Sequence, residues 1–151
     1  MCRSAILRNL SRKMWMTMAQ LFIDAATRQN PFESSIGYVI KDDDQVLEFG
    51  QYLGEMDNHE AEWTGLIEGI KQASLLNIKT LIIKSDAKVV VDAVNKAYTK
   101  NAKFKPYLSK YQQLEQHFDL VLVDWIPRDQ NKHADHVARH YLNKGAHFKK
   151  A

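Results

Sequence analysis

Two short apolar runs, residues 19–25 (AQLFIDA) and 80–86 (TLIIKSD), constrain this chain more than any other feature. Continuous apolar runs of this length suit strands covered on both faces, as in parallel and mixed α/β sheets. Each run carries an aspartate at or next to its end, Asp24 and Asp86. A carboxylate at the end of a strand buried on both faces calls for an explanation, because an unpaired buried charge is costly. In open α/β sheets, sites gather at the carboxyl ends of the strands.

The rest of the pattern surrounds those two strands with a small α/β domain. Residues 36–54 read as a hairpin turned at Asp42-Asp43-Asp44, which with the first strand makes an antiparallel meander. Residues 59–77 have helical spacing, with Ala61, Leu66, Ile70, Ala73 and Leu76 on one face. Residues 87–96 form a helix weakened by three consecutive valines. Residues 104–117 form another, with Pro106 in its first turn. Residues 119–127 form the fifth strand, stopped by Pro127. Residues 132–143 form the last helix, striped by Ala134, Val137, Ala138, Tyr141 and Leu142. A meander followed by strand–helix alternation predicts a mixed five-stranded sheet, part antiparallel and part parallel, with helices on both faces.

The domain is expected to span residues 18–145, with a basic tail at 146–151. Residues 1–17 are set apart by composition. Arg3, Arg8, Arg12 and Lys13, with no acid before residue 20, supply +4 of a whole-chain +3, so the remainder is net −1. A signal peptide does not fit, for want of an apolar block. A mitochondrial-type presequence fits the arginine bias. The favoured reading is a start assigned too early, with translation beginning at Met14, Met16 or Met18. The near-neutral remainder excludes a uniformly basic nucleic-acid coat, so any such binding rests on a local patch. No run is long enough for a membrane helix. The single cysteine, Cys2, rules out an intrachain disulfide and a multi-cysteine zinc site, and suits a reducing, cytoplasmic setting. No obligate protein partner is evident.

Two more acids stand on apolar helical faces. Glu62 shares its face with Leu66, Gly69 and Ala73. Asp135 has Ala138 and Leu142 at i+3 and i+7. Singly, each of the four acids reads as a turn, cap or first-turn residue. Brought together, they would repel one another unless a hard divalent cation joined them. Two such ions can activate a water and stabilise the leaving oxygen of a phosphodiester. His133, His136 and His140 share a helical face but read as surface histidines rather than metal ligands. Trp63 and Trp125 read as core. Lys96, Lys100, Lys103, Lys105 and Lys110 form an acid-free patch. With Phe104 and Tyr107, that patch can follow a phosphate backbone or be a solvated face.

In order, FIDAA, NHEAEWTGLIEGI, IIKSDAKVVVDAV and WIPRDQNKHADHVAR resemble ribonuclease H type 1, most closely its archaeal-like branch, across residues 19–143. The resemblance implies a ribonuclease H-like fold. It also implies a two-metal endonuclease, dependent on Mg²⁺ or Mn²⁺, that cuts the RNA strand of RNA–DNA hybrids. The implied catalytic and metal ligands are Asp24, Glu62, Asp86 and Asp135. Glu60 is the near rival of Glu62. Arg128 falls where relatives carry a residue that assists proton transfer or product release. Asn30 and Asn58 fall in the substrate-reading loops, and Lys103 and Lys105 in the basic patch. The chain departs from the family pattern in three places: Ala25 replaces a glycine, G-N-P-G reads Gln29-Asn30-Pro31-Phe32, and T-N-N reads Asp57-Asn58-His59. Asp57 would repel a phosphate unless it points away. Two alternatives to hybrid cleavage therefore stay open. One is a catalytically impaired nucleic-acid-binding module. The other is a related nuclease with a different nucleic-acid substrate.

Overall fold

A computed structural model describes residues 18–30 and 32–150, the last five by backbone alone. The expectations for residues 1–17 lie outside the described residues. Five strands form one sheet in the order β3-β2-β1-β4-β5. They are β1 (Met18–Arg28), β2 (Glu33–Lys41), β3 (Val46–Gly54), β4 (Thr80–Ser85) and β5 (Leu120–Trp125). β1 is central, antiparallel to β2 and parallel to β4, and β5 continues the parallel half. The expected ribonuclease H-like mixed sheet is therefore present. β1 outruns the apolar segment that marked it. Its last residues pair with β2 as far as Arg28↔Glu33, whereas its ladder with β4 ends at Ile23↔Ser85. The β2–β3 turn is closed by Asp42, whose Oδ1 accepts from the backbone N–H groups of Asp44 and Gln45.

Four helices cover the sheet: α1 (Asn58–Leu75), α2 (Lys88–Lys96), α3 (Lys105–Glu115) and α4 (Lys132–Lys150). Alternation along β1 and β2 sends Leu21, Ile23 and Ile36 to one side and Phe22, Asp24 and Gly37 to the other. The first side carries α1, where a Cβ on Gly65 would meet Ile23 at 2.8 Å. Trp63, Ile70, Leu81, Ile83 and Tyr111 fill the main core there. The second side carries α4, which lies across β1, β2 and β3. Ala134, Val137 and Val39 pack there, as do Ala26, Ala138 and Leu142. The hydroxyl of Ser35 donates to the carbonyl of Ala138, tying β2 to this helix. α4 runs past residue 143, where its apolar stripe fades, because Gly145 lies against the ring of Tyr52 on β3.

Leu76, expected on the buried helical face, is 39% exposed at the C-cap of α1, and Trp125 departs further from the expected core. It is 50% exposed, while Trp63 is fully buried. β5 is an edge strand, and only Val123 along it is buried, with Leu120 and Leu122 about half exposed. An alternating apolar sequence does not reveal whether a strand lies inside a sheet or at its edge. Among the described residues no helix is long and apolar enough to cross a membrane.

The seat of α4 depends on Gly37. A Cβ there would fall 2.4 Å from the Ala138 nitrogen and 2.7 Å from the Ala134 carbonyl oxygen, both backbone atoms that cannot rotate away. Gly37→Ala is expected to cost about 1–3 kcal/mol by overpacking, read as a lowered urea midpoint. Unchanged stability would mean that α4 does not sit this close.

Candidate active site

The site forms where the β1–β4 ladder ends. Asp24 and Asp86 each follow the last bridged pair, Ile23↔Ser85, and so emerge side by side at the carboxyl ends of two parallel strands. Asp24 points to the α4 side, directly opposite Gly37, and is 8% exposed. Its Oδ1 accepts from the Ala25 N–H at 2.9 Å. Burial pushes its pKa up to about 8, with the charges of Asp86 and then Asp135 adding to the rise against the Ala25 hydrogen bond. Three of the four carboxylates picked from the sequence thus press on one another. The fourth, Glu62 on α1, is also raised by burial, opposed by His59 and Asn58 and reinforced by Asp86.

Each remaining carboxylate has its own neutral or cationic holder. Asn58 donates through Nδ2 to Glu62 Oε1 at 2.9 Å and accepts from the Thr27 hydroxyl at 3.0 Å. Ser34, whose hydroxyl lies 3.0 Å from that of Thr27, donates to the Met56 carbonyl at 2.6 Å. Asn58, expected to touch substrate, is thus committed on both ends of its amide to placing Glu62. His59 Nδ1 stands 3.5 Å from the other Glu62 oxygen. Asn131 is 1% exposed. It donates to the Ile23 carbonyl at 2.8 Å and to Asp86 Oδ2 at 3.1 Å, joining β1 to the strand end at β4. Its own Oδ1 is buried without a partner among the described residues. The Trp125 indole N–H donates to the Asp86 carbonyl at 3.1 Å. Asp135 is held by Arg139, whose Nε lies 3.0 Å from both of its oxygens.

Glu60 is drawn away from this group. It lies 3.4 Å from Lys103, which also bonds Asp57 at 2.6 Å. Asp57 caps α1 by accepting from the Glu60 N–H, and its pKa is lowered by that bond and then by Lys103. The acid that would repel a phosphate is therefore occupied as a cap and neutralised. Lys103 is engaged with it, while Lys105 is exposed at the start of α3. Phe104 and Tyr107 do not join the basic face, because both pack toward Trp63. Asn30 sits in the β1–β2 loop with φ of 63°, a left-handed conformation asparagine tolerates. Phe32 in the same loop is 51% exposed. Pro31 lies outside the described residues. Arg128, in a 3₁₀ turn (Arg128–Gln130) after β5, lines a cavity of about 210 Å³ with Thr27, Asn58, Asp135 and Arg139. His133 pairs with Glu48 of β3.

The donor set is all oxygen, four carboxylates in electrostatic contact, while Asn131 turns its amide nitrogen to Asp86. Hard divalent cations take such donors. As the side chains lie, no three histidine, cysteine, aspartate or glutamate groups among the described residues converge on a metal position. Sequence reasoning missed Asn131 and Arg139. Arg139 was readable from its spacing, four residues after Asp135 on a helix. Asn131 was not, since a lone asparagine before a helix reads as a cap.

Residues 22–141 match the family described as "Reverse transcriptase-like". A putative hydrolase of Enterococcus faecalis, EbsB, is 45% identical over 129 residues, covering 84% of this chain and 96% of that protein. The solved N-terminal RNase H domain of Rv2228c from Mycobacterium tuberculosis superposes with a TM-score of 0.80 at 26% identity, over 87% of this chain and 98% of that one. The full Rv2228c protein is longer, and this chain spans 35% of it. LC11-RNase H1, solved in complex with an RNA/DNA hybrid, gives a TM-score of 0.77 at 23% identity over 85% and 99% of the two chains. The chain belongs to the reverse transcriptase-like family, and it is homologous in sequence and fold to ribonuclease H type 1 proteins.

The raised pKa of Asp24 has a signed consequence. Between its ordinary value of 3.8 and about 8 the folded protein keeps a proton that the unfolded chain has released. Stability without metal therefore falls as pH rises through that window. The metal-free Tm is expected to drop from pH 5 to pH 8 by at least about 3 °C, the worth of 1 kcal/mol in a domain of this size. Asp24→Asn should remove most of that drop. Equal pH slopes in the two proteins would show that Asp24 is not the buried proton.

Proposed function

We propose that this chain is a divalent-metal-dependent endonuclease that hydrolyses the RNA strand of RNA–DNA hybrids. The observation that carries the reading is that Asp24 and Asp86 stand side by side at the ends of β1 and β4, with Asp135 and Glu62 within electrostatic reach of them. Family membership and the relative bound to a hybrid support the substrate class. Mg²⁺ or Mn²⁺, as a pair of ions, would supply an activated water and stabilise the leaving oxygen. Asp24 and Asp86, at the ends of β1 and β4, would hold the ions with Glu62 from α1 and Asp135 from α4. Asn58 and Asn131 fix the directions of Glu62 and Asp86, a role ligand-orienting amides commonly play. Arg128, beside the cavity, offers a cation to the phosphate, and Lys105 adds charge along the backbone path.

A second reading is a related nuclease with another nucleic-acid substrate. It is favoured by the exposed Phe32 in a loop where the family carries glycine. A close backbone approach to nucleic acid is easier for glycine.

The test is an end-labelled RNA–DNA hybrid incubated in Mg²⁺ and separately in Mn²⁺, beside single-stranded RNA and duplex DNA. Cuts confined to the RNA strand of the hybrid are expected. They should slow by roughly 100-fold or more in Asp24→Asn, since even residues that only orient ligands can cost that much. Hybrid binding without cuts in either metal would overturn the enzyme reading in favour of a binding module. Cuts confined to another substrate would move it to the second reading.

A further inference from the structure

Arg139 follows Asp135 by one turn of α4, and its Nε lies 3.0 Å from both carboxylate oxygens. Such a pair on an exposed helix face is ordinarily worth little. Its position gives this one a different weight. Asp135 is a member of the carboxylate group around Asp24, and both of its oxygens face Arg139. The Arg139 side chain is 60% exposed, while that of Asp135 is 26% exposed. Only Nε of the guanidinium is used, so its two terminal nitrogens make no hydrogen bond among the described residues. The same side chain borders the 210 Å³ cavity next to Arg128.

We infer that Arg139 is a removable counter-cation for Asp135. It neutralises the carboxylate while the metal site is empty, and a divalent cation displaces it when Asp135 becomes a ligand. The inference rests on the metal-dependent reading and adds the residue that sets when Asp135 is available. A side chain mostly in water loses little packing by leaving. It has a polar cavity to swing into. Its departure is driven by competition, because a divalent ion shared among several carboxylates neutralises more charge than one guanidinium. Arg139 touches no reacting atom in this scheme and is a positioning residue.

The experiment uses the full chain and Mn²⁺ alone, without nucleic acid. Calorimetric titration of wild type, Arg139→Gln and Arg139→Lys gives the cation affinities, and thermal melts with and without Mn²⁺ give the linked stabilities. Arg139→Gln is expected to bind Mn²⁺ roughly threefold or more tightly, with Arg139→Lys between it and wild type. The glutamine variant should also melt lower than wild type without metal and gain more on adding it, a split that a merely structural arginine would not produce. If wild type binds Mn²⁺ and Arg139→Gln binds it equally or more weakly, the counter-cation is overturned and the metal site stands. If neither protein binds Mn²⁺, the metal site itself is overturned and this inference falls with it.

Discussion

The structure depends on holding like charges together at the end of a buried strand. Asp24 is the centre of that problem. It lies inside the sheet–helix sandwich, and its neighbours Asp86 and Asp135 are anions as well. Asp24 is buried, so the repulsion is screened less than at a surface. The protein meets this by a raised Asp24 pKa, by the Ala25 N–H, and by giving each other acid its own holder. Asn131 holds Asp86, Asn58 holds Glu62 and Arg139 holds Asp135. Asn58 opens α1, Asn131 precedes α4 and Arg139 lies on it, while Asp24 and Asp86 end sheet strands, so the site is assembled only when the sheet, α1 and α4 are all in place.

The mixed sheet makes that assembly possible. Its antiparallel half carries β1 beyond the end of β4, so that Asp24 keeps backbone pairing on one side while its other side opens. Its parallel half brings Asp86 level with Asp24. A wholly antiparallel sheet would place the two strand ends at opposite edges. The cap at Asp57 has a matching role on α1: by fixing the first turn it sets where Asn58, His59 and Glu62 face. The pairing of Asp57 with Lys103 reaches to the loop before α3 and keeps that acid from confronting a phosphate.

Much of this was legible in the sequence, and for identifiable reasons. The strands β1 and β4 and the four acids showed themselves because charge is conspicuous in apolar runs. The hairpin was marked by its three aspartates, and the choice of Glu62 over Glu60 rests on the family resemblance together with the apolar face it shares. What escaped depended on neighbours distant in the chain. Trp125 was read as core because DLVLVDW looks alike in an edge strand and a central one. Phe104 and Tyr107 stood beside lysines in sequence but pack on Trp63 in space. Asn131 carried no pattern, since its importance comes from reaching both the Ile23 carbonyl and Asp86. The full length of α4 was hidden because the close seat of Gly145 against Tyr52 leaves no apolar side chain to mark it.

The close seat of α4 has an evolutionary consequence. Gly37 and Gly50 are the floor on which the helix rests, at Ala138 and at the ring of Tyr141 respectively. A side chain at Gly37 meets helix backbone and lifts the helix, and with it Asp135 and Asn131, away from Asp24, while one at Gly50 displaces the Tyr141 ring. A chain descended from this one can vary the loops that meet its ligand with little effect on the carboxylates, but it cannot drift at these two positions. The geometry of the acids is therefore inherited partly through places where no side chain is allowed, on strands that contribute no acid to the site.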